Sequence, residues 1–275
     1  SKANEHGLFY GHGTDNPHDD IWALIAGSLS LPFDCDPIFL QSRLTEEEKL
    51  KLKDRFVSRI IKRIPVPYLL HEANFCDLTF YIDERVLIPR SPIAELIRQQ
   101  FSPWVDPDRV FRVLDLCTGS ACIAIACCYA FPEALVDAVD LSSDALKVAA
   151  INQNRHHLEE RLCLIHSDCW QAVPHARYDI IVSNPPYVGN EEMASLPAEY
   201  RHEPDMALRA NNNGLAIVDN ILRRAGDHLN EDGVLVVEVG NSQDALIAAY
   251  PEIPFFWLEF MQGGDGVFLL TAEQL

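Results

Sequence analysis

Residues 179–187 read Asp-Ile-Ile-Val-Ser-Asn-Pro-Pro-Tyr, and this stretch limits the chain more than any other. Ile180, Ile181 and Val182 are apolar and β-branched, the composition of a strand buried in a parallel sheet. The two prolines cannot extend it, because each lacks the N–H that a ladder needs and fixes its own φ. The residue before a proline is pushed into extended space. Asn184 is therefore held extended at a carboxyl strand end, with a stiff turn behind it. Ligands of open α/β sheets bind at those ends. Asn184 offers a carbonyl acceptor and an amide donor, Pro185 and Pro186 add carbonyl acceptors, and Tyr187 adds a flat face. Together they suit a planar group with two N–H donors: a carboxamide or an exocyclic aromatic amine. For Asn-Pro alone a structural turn is the plainer reading; all four residues after a buried strand favour the clamp.

A chain of 275 residues, 48% hydrophobic, is long enough for one large α/β domain and a small one. No apolar run approaches the 18 or so residues of a membrane span, and acidic Asp19 and Asp20 before the apolar run 21–31 argue against a signal peptide. Eight cysteines without a Cys-x-x-Cys pair suit a reducing, cytoplasmic setting. Cys122, Cys127 and Cys128 lie in an apolar run and read as small core residues. Basic residues number 22 against 41 acidic, a net charge of −19. That balance moves the expectation away from direct DNA binding, which needs a basic face. An acidic surface would steer a basic protein partner; simple solubility is the equal alternative. No Ser-His-Asp set or metal cluster stands out, no metal is expected, and the scattered histidines read as surface residues.

In chain order, residues 1–66 read as a small helical domain. Asp19 to Leu29 is a short amphipathic candidate. Thr45-Glu46-Glu47-Glu48 is a capping box with acids at the positive end of the helix dipole. Leu52, Phe56, Ile60 and Ile64 then mark a buried face, and Lys51, Arg55, Arg59 and Lys62 the alternate one. Residues 67–92 read as a linker whose β-hairpin pairs Phe75–Phe80 with Arg85–Ile88. Arg90 reads as part of a surface hinge, with reach into a cleft as the alternative. Pro92 opens a helix expected to run through Phe101. Residues 93–275 then alternate strand and helix, with strands expected at Val113–Leu116, Leu135–Asp140, Leu162–His166, Ile180–Ser183, Val234–Val239, Phe255–Phe260 and Val267–Leu270. Gly263 to Gly266 is too short for a crossover helix, so the last two strands should be antiparallel neighbours.

Successive strand ends carry the chemistry. The turn Cys117-Thr118-Gly119-Ser120 has a glycine where backbone can approach a ligand closely. Asp140 follows Gly119 by 21 residues, the spacing of a carboxylate that holds ribose hydroxyls. Asp168, at the next strand end, is placed to meet an adenine amine.

Asp115-Leu116-Cys117-Thr118-Gly119-Ser120 and Asn184-Pro185-Pro186-Tyr187 resemble the two signatures of class I S-adenosylmethionine-dependent methyltransferases acting on planar nitrogen. Val86-Leu87-Ile88-Pro89-Arg90, Glu203-Pro204-Asp205-Met206-Ala207-Leu208 and Gly264-Asp265-Gly266-Val267 extend the likeness to the protein-glutamine N5-methyltransferase family. Residues 9–17 and Arg90-Ser91-Pro92 resemble its branch that modifies ribosomal protein uL3. The resemblance implies a Rossmann-like seven-stranded sheet and S-adenosylmethionine as cofactor. It implies cofactor contacts from Asp115, Cys117, Thr118, Gly119, Ser120, Ala121, Asp140, Leu141, Asp168, Cys169 and Asn184, and glutamine contacts from Asn184, Pro185, Pro186 and Tyr187. The N-terminal domain would recognise the substrate, uL3 before or during ribosome assembly. Cys117 and Ala121 replace two glycines of the family's turn, and Ala121 fits there only with a negative φ. The alternatives are a release-factor glutamine methyltransferase, an adenine N6 DNA methyltransferase and a non-catalytic ribosome-assembly module. A nicotinamide oxidoreductase would leave the clamp without a role.

Overall fold

A computed structural model describes residues 7–261 and 263–275. The N-terminal part is helical, as its caps dictate. Helix α1 (Pro17–Ser28) starts at Asn16, whose side chain accepts from the Asp19 N–H. Helix α2 (Glu46–Ile60) is opened by the Thr45–Glu48 capping box, and α3 (Val66–Leu70) follows. Leu52 is buried as expected, but Arg59 is not on a solvent face. It is 2% exposed, with Nε 2.8 Å from Asp20 Oδ2 and Nη1 3.4 Å from Glu199 Oε1. Carboxylates from α1 and from far down the chain make its burial possible. His12 and His228 are likewise buried rather than on the surface, His228 stacked on Trp170.

The hairpin is tighter than its expected span. Strands β1 (Ala73–Phe75) and β2 (Leu78–Phe80) pair antiparallel around Cys76 and Asp77, both at positive φ. Residues 85–88 belong to no strand. The Asp83 carboxylate accepts from the Arg85 N–H and guanidinium, and Val86 N–H donates to Asp83 O. This turn diverts the chain away from the hairpin. Helix α4 (Ile93–Arg98) ends three residues before Phe101. Gln100 and Phe101 take positive φ, and Phe101 N–H donates to Leu96 O, which doubles the chain back and buries the phenyl ring.

The remaining chain runs β3 (Arg112–Leu116), α5 (Cys122–Ala130), β4 (Leu135–Asp140), α6 (Ser143–Arg155), β5 (Leu162–His166), β6 (Tyr178–Ser183), α7 (Asn190–Ser195), α8 (Asp205–Leu208), α9 (Ala216–His228), β7 (Leu229–Glu238), α10 (Gln243–Ala249), β8 (Phe256–Trp257) and β9 (Val267–Thr271). These strands form a seven-stranded sheet in the order β5-β4-β3-β6-β7-β9-β8. The pairs from β5 to β7 are parallel; β9 is antiparallel to β7 and to β8. The antiparallel end agrees with the short 263–266 linker, though β8 is shorter than its expected span.

Alternate strand residues feed two core layers. Val113, Ile180, Val182 and Val236 face the layer that contains α5, with Cys122, Cys127 and Cys128 buried in it. Leu114, Leu116, Ile181 and Val237 face the layer built on α9. A sheet buried on both faces explains why the strands read as continuous apolar runs. The order reverses between β3 and β6, since β4 and β5 lie on one side of β3 and β6 on the other. Ligand crevices open at such a switch point. Leu116 is level with Val139 on one side and Ser183 on the other, so the β3 turn, Asp140 and Asn184 emerge side by side. Among the described residues no helix is long and apolar enough to cross a membrane.

Candidate active site

A cavity of about 300 Å³ opens over these strand ends. Its wall includes Cys117, Thr118, Gly119 and Ser120 after β3, Asp140 and Leu141 after β4, Asp168 and Cys169 after β5, and Asn184 and Pro186 after β6. Asp115, Ala121, Pro185 and Tyr187 are outside that wall, each directly adjoining a residue of it or one position removed.

Asp115 fixes the turn from beneath. Its fully buried Oδ2 accepts from Thr118 Oγ1 at 2.5 Å and from the Ala124 N–H at 3.1 Å. Burial pushes its carboxyl up to about 7, against the pull of those two hydrogen bonds. Cys117, Gly119 and Ala121 all take positive φ, at 61°, 55° and 64°. The expected negative φ at Ala121 is therefore overturned. Its methyl belongs to the buried core layer, so its cost is left-handed strain, about 1–2 kcal/mol, and not a side chain in the cavity wall.

Asp140 bridges two turns. Gly119 N–H donates to Oδ2 and Ser142 N–H to Oδ1, both at 2.8 Å. Burial raises its carboxyl, and these amides partly counter it. A carboxylate has about four lone-pair sites, so two remain for the two hydroxyls of a ribose. Apolar Ile123, Val139, Leu141, Ala145 and Ile217 share the wall and suit a planar base. Cleft thiols are neutral: burial pushes Cys169 up to about 12 and Cys117 well above its usual value. The residues present thus fit an adenosine-bearing cofactor and offer no thiolate nucleophile.

The turn from Asn184 to Tyr187 is tied to its neighbours. Ser183 Oγ donates to Leu116 O at 2.7 Å, fastening β6 to β3 just before Asn184. Tyr187 donates its hydroxyl to Glu238 Oε1 at 2.9 Å, and Ser242 Oγ donates to Tyr187 O at 2.9 Å. The tyrosine ring lies on Gly240, where a Cβ would come within 2.6 Å of it.

Arg90 is a cleft residue and not a surface hinge. It lines the cavity, and its Nη1 and Nη2 meet Glu203 Oε1 and Oε2 at 2.6 and 2.8 Å. Burial alone would raise the Glu203 carboxyl; the Arg90 guanidinium overrides it and holds it at about 2. Glu203 also accepts from Ile88 N–H, and His12 Nε2 lies 3.5 Å from its Oε2. Residue reasoning missed this pair because 113 positions separate its members; only the stretches around them, through their family likeness, drew notice. Ser91, Glu203 and Glu238 carried no local signal.

Residues 101–199 match the family model described as the methyltransferase small domain. The chain is 50% identical to a ribosomal protein uL3 glutamine methyltransferase of Neisseria gonorrhoeae, over 100% of this chain and 92% of that one. The namesake from Neisseria meningitidis serogroup A is also 50% identical, with 100% and 91% covered. Two solved structures share the fold at low identity. The hMettl16 catalytic domain aligns at a TM-score of 0.57 and 15% identity, covering 85% of this chain and 86% of that one. A methyltransferase from Pyrococcus furiosus aligns at 0.51 and 16%, covering 83% and 99%. The architecture is that of a class I S-adenosylmethionine-dependent methyltransferase, and the chain belongs to the ribosomal protein uL3 glutamine methyltransferase family.

Proposed function

We propose that this protein transfers a methyl group from S-adenosylmethionine to the side-chain amide nitrogen of a glutamine in ribosomal protein uL3. The carrying observation is one cleft with Asp140 at one strand end and Asn184 and Pro186 at another. Asp140 would hold the ribose diol, Asp168 the adenine amine, and the 117–121 turn the intervening backbone contacts. The bound cofactor supplies an electrophilic methyl.

An amide nitrogen is a poor nucleophile, because its lone pair is delocalised into the carbonyl. The protein's task is to hold that nitrogen in line and favour the pyramidal, positively charged form it approaches. The Asn184 side-chain oxygen and the Pro185 carbonyl would each accept one amide N–H. Two fixed acceptors stabilise positive charge developing on nitrogen, and fixed orientation removes much of the entropic barrier. Tyr187 would stack on the amide plane. The methylated amide sheds its extra proton readily, so no side chain is required as a base.

Substrate choice must come from elsewhere, since the clamp meets only an amide. We assign it to the N-terminal region, residues 1–66, of which the first six lie outside the described residues, with 67–92 as linker to the catalytic domain. The substrate is uL3 before or during assembly, when its glutamine can still enter a cleft; DNA is not a partner, and the setting is the cytoplasm. The test is transfer of label from the cofactor to unassembled uL3. Asn184→Ala is expected to keep cofactor affinity by calorimetry while turnover falls about 10²–10³-fold. A variant retaining a tenth of wild-type turnover contradicts the clamp.

A further inference from the structure

Glu238, the last residue of β7, is 6% exposed, and the reaction described above gives it no task. Its oxygens take two different hydroxyls: Tyr187 Oη at 2.9 Å on Oε1 and Ser91 Oγ at 2.6 Å on Oε2. Each carboxyl oxygen thus has one hydroxyl as its partner. Two neutral hydroxyls, rather than a cation, supply these contacts. Burial opposes the charge and pushes the carboxyl up, while Ser91, Tyr187 and the charge of Arg90 pull it back. Burying an acidic group this way is costly to a fold. Such breaches of local rules concentrate at functional sites.

The two hydroxyls come from different parts of the site. Tyr187 ends the Asn-Pro-Pro-Tyr turn. Ser91 lies in the cleft wall beside Arg90, and its Oγ also accepts from the Ile93 N–H. Tyr187 is already fixed at its backbone by Ser242 and beneath its ring by Gly240. A ring held at its backbone end and at its hydroxyl can only turn about the axis between them. The Gly240 backbone, at φ 46°, restricts that turn, because any side chain there would meet the ring.

We infer that Glu238 is a positioning residue of the clamp, whose two carboxyl oxygens set the Tyr187 ring against the substrate amide and tie it to the Ser91 wall. This rests on the proposed function, since it takes a bound amide as what the ring faces. Glu238→Gln keeps the shape but puts an NH₂ donor against one hydroxyl, which must turn from donating to accepting and so loses its original alignment.

The experiment is a double-mutant cycle with Glu238→Gln, Tyr187→Phe and both together, assayed on unassembled uL3 at saturating cofactor. Calorimetry gives cofactor affinity and thermal melting gives integrity. Each single variant should lose about 10- to 100-fold in kcat, the scale of a small misplacement, with cofactor affinity unchanged. The double variant should be no worse than the worse single, because both act through one contact. Ser91→Ala approaches the carboxylate from the other side and should also lower kcat with cofactor affinity unchanged. It carries the test where Glu238→Gln melts too low to assay. Wild-type kcat in Glu238→Gln or in Ser91→Ala, or losses that multiply in the double variant, overturns the inference. A wild-type chain that leaves uL3 unmethylated overturns the underlying reading, and this inference with it.

Discussion

Ala121 shows how closely opposed terms set the outcome of a single substitution. Left-handed backbone costs it about 1–2 kcal/mol. Glycine would remove that strain, but it would free the unfolded chain by about 0.5–1 kcal/mol and forfeit a buried methyl worth about 0.8 kcal/mol. Ala121→Gly should therefore unfold in urea within about 1 kcal/mol of wild type and bind cofactor at least as tightly. A loss above about 2 kcal/mol would mean that the methyl is needed where it packs. Asp115 makes a prediction in pH. Its carboxyl is pushed from 3.8 to about 7 on folding, so the folded state prefers it protonated. Its effect on stability is neutral below about 4, worsens as pH rises through 7, and then levels off. The penalty is at most roughly 4 kcal/mol, at 1.36 kcal/mol per unit. Asp115→Asn should gain on wild type in urea midpoint from pH 5 to pH 8; a gap that stays constant would show that Asp115 does not titrate there. Asn184 and Asp140 were legible in the sequence because strand, proline and glycine rules are local. Arg90 and Glu238 were not, because their partners lie 113 and 147 residues away, at Glu203 and Ser91.

For elements, caps and apolar spacing carried most of the reading. Thr45 and Glu48 announced the start of α2, and the apolar runs announced the strands of the sheet. Besides the early end of α4 and the short β8, two features escaped. The hairpin closes at Cys76 and Asp77, residues whose positive φ no turn rule marks as strongly as Asn-Gly. On α2, Arg59 looked like a solvent-face residue until Asp20 and Glu199 came beside it. Its Nη2 also donates to Phe9 O at 2.8 Å, while Phe9 N–H donates to Glu199 Oε1 at 3.0 Å. This buried arginine joins α1, α2, the 9–17 segment and the 198–202 turn. Arg59→Met should cost about 3–5 kcal/mol, because it leaves the buried Asp20 carboxylate without its cation, while Arg63 Nη1 still meets Glu199 Oε1 at 3.0 Å. Urea denaturation measures it, and a loss under 1 kcal/mol would mean that the Asp20 carboxylate is relieved by protonation or water.

At the scale of the whole molecule, a net charge of −19 belongs to an enzyme whose proposed substrate is a basic ribosomal protein. Electrostatic steering speeds encounter more than it tightens the complex, and it fades as the Debye length falls below about 10 Å above 0.1 M salt. The central claim is that the cleft methylates a glutamine amide of uL3. The most direct measurement offers unassembled uL3, a release factor and DNA to the enzyme with labelled cofactor, and then locates the methyl by peptide fragmentation. The predicted result is one methyl on a glutamine side-chain nitrogen of uL3, formed faster at low salt. Label placed on the release factor or DNA, or on another atom of uL3, contradicts the account.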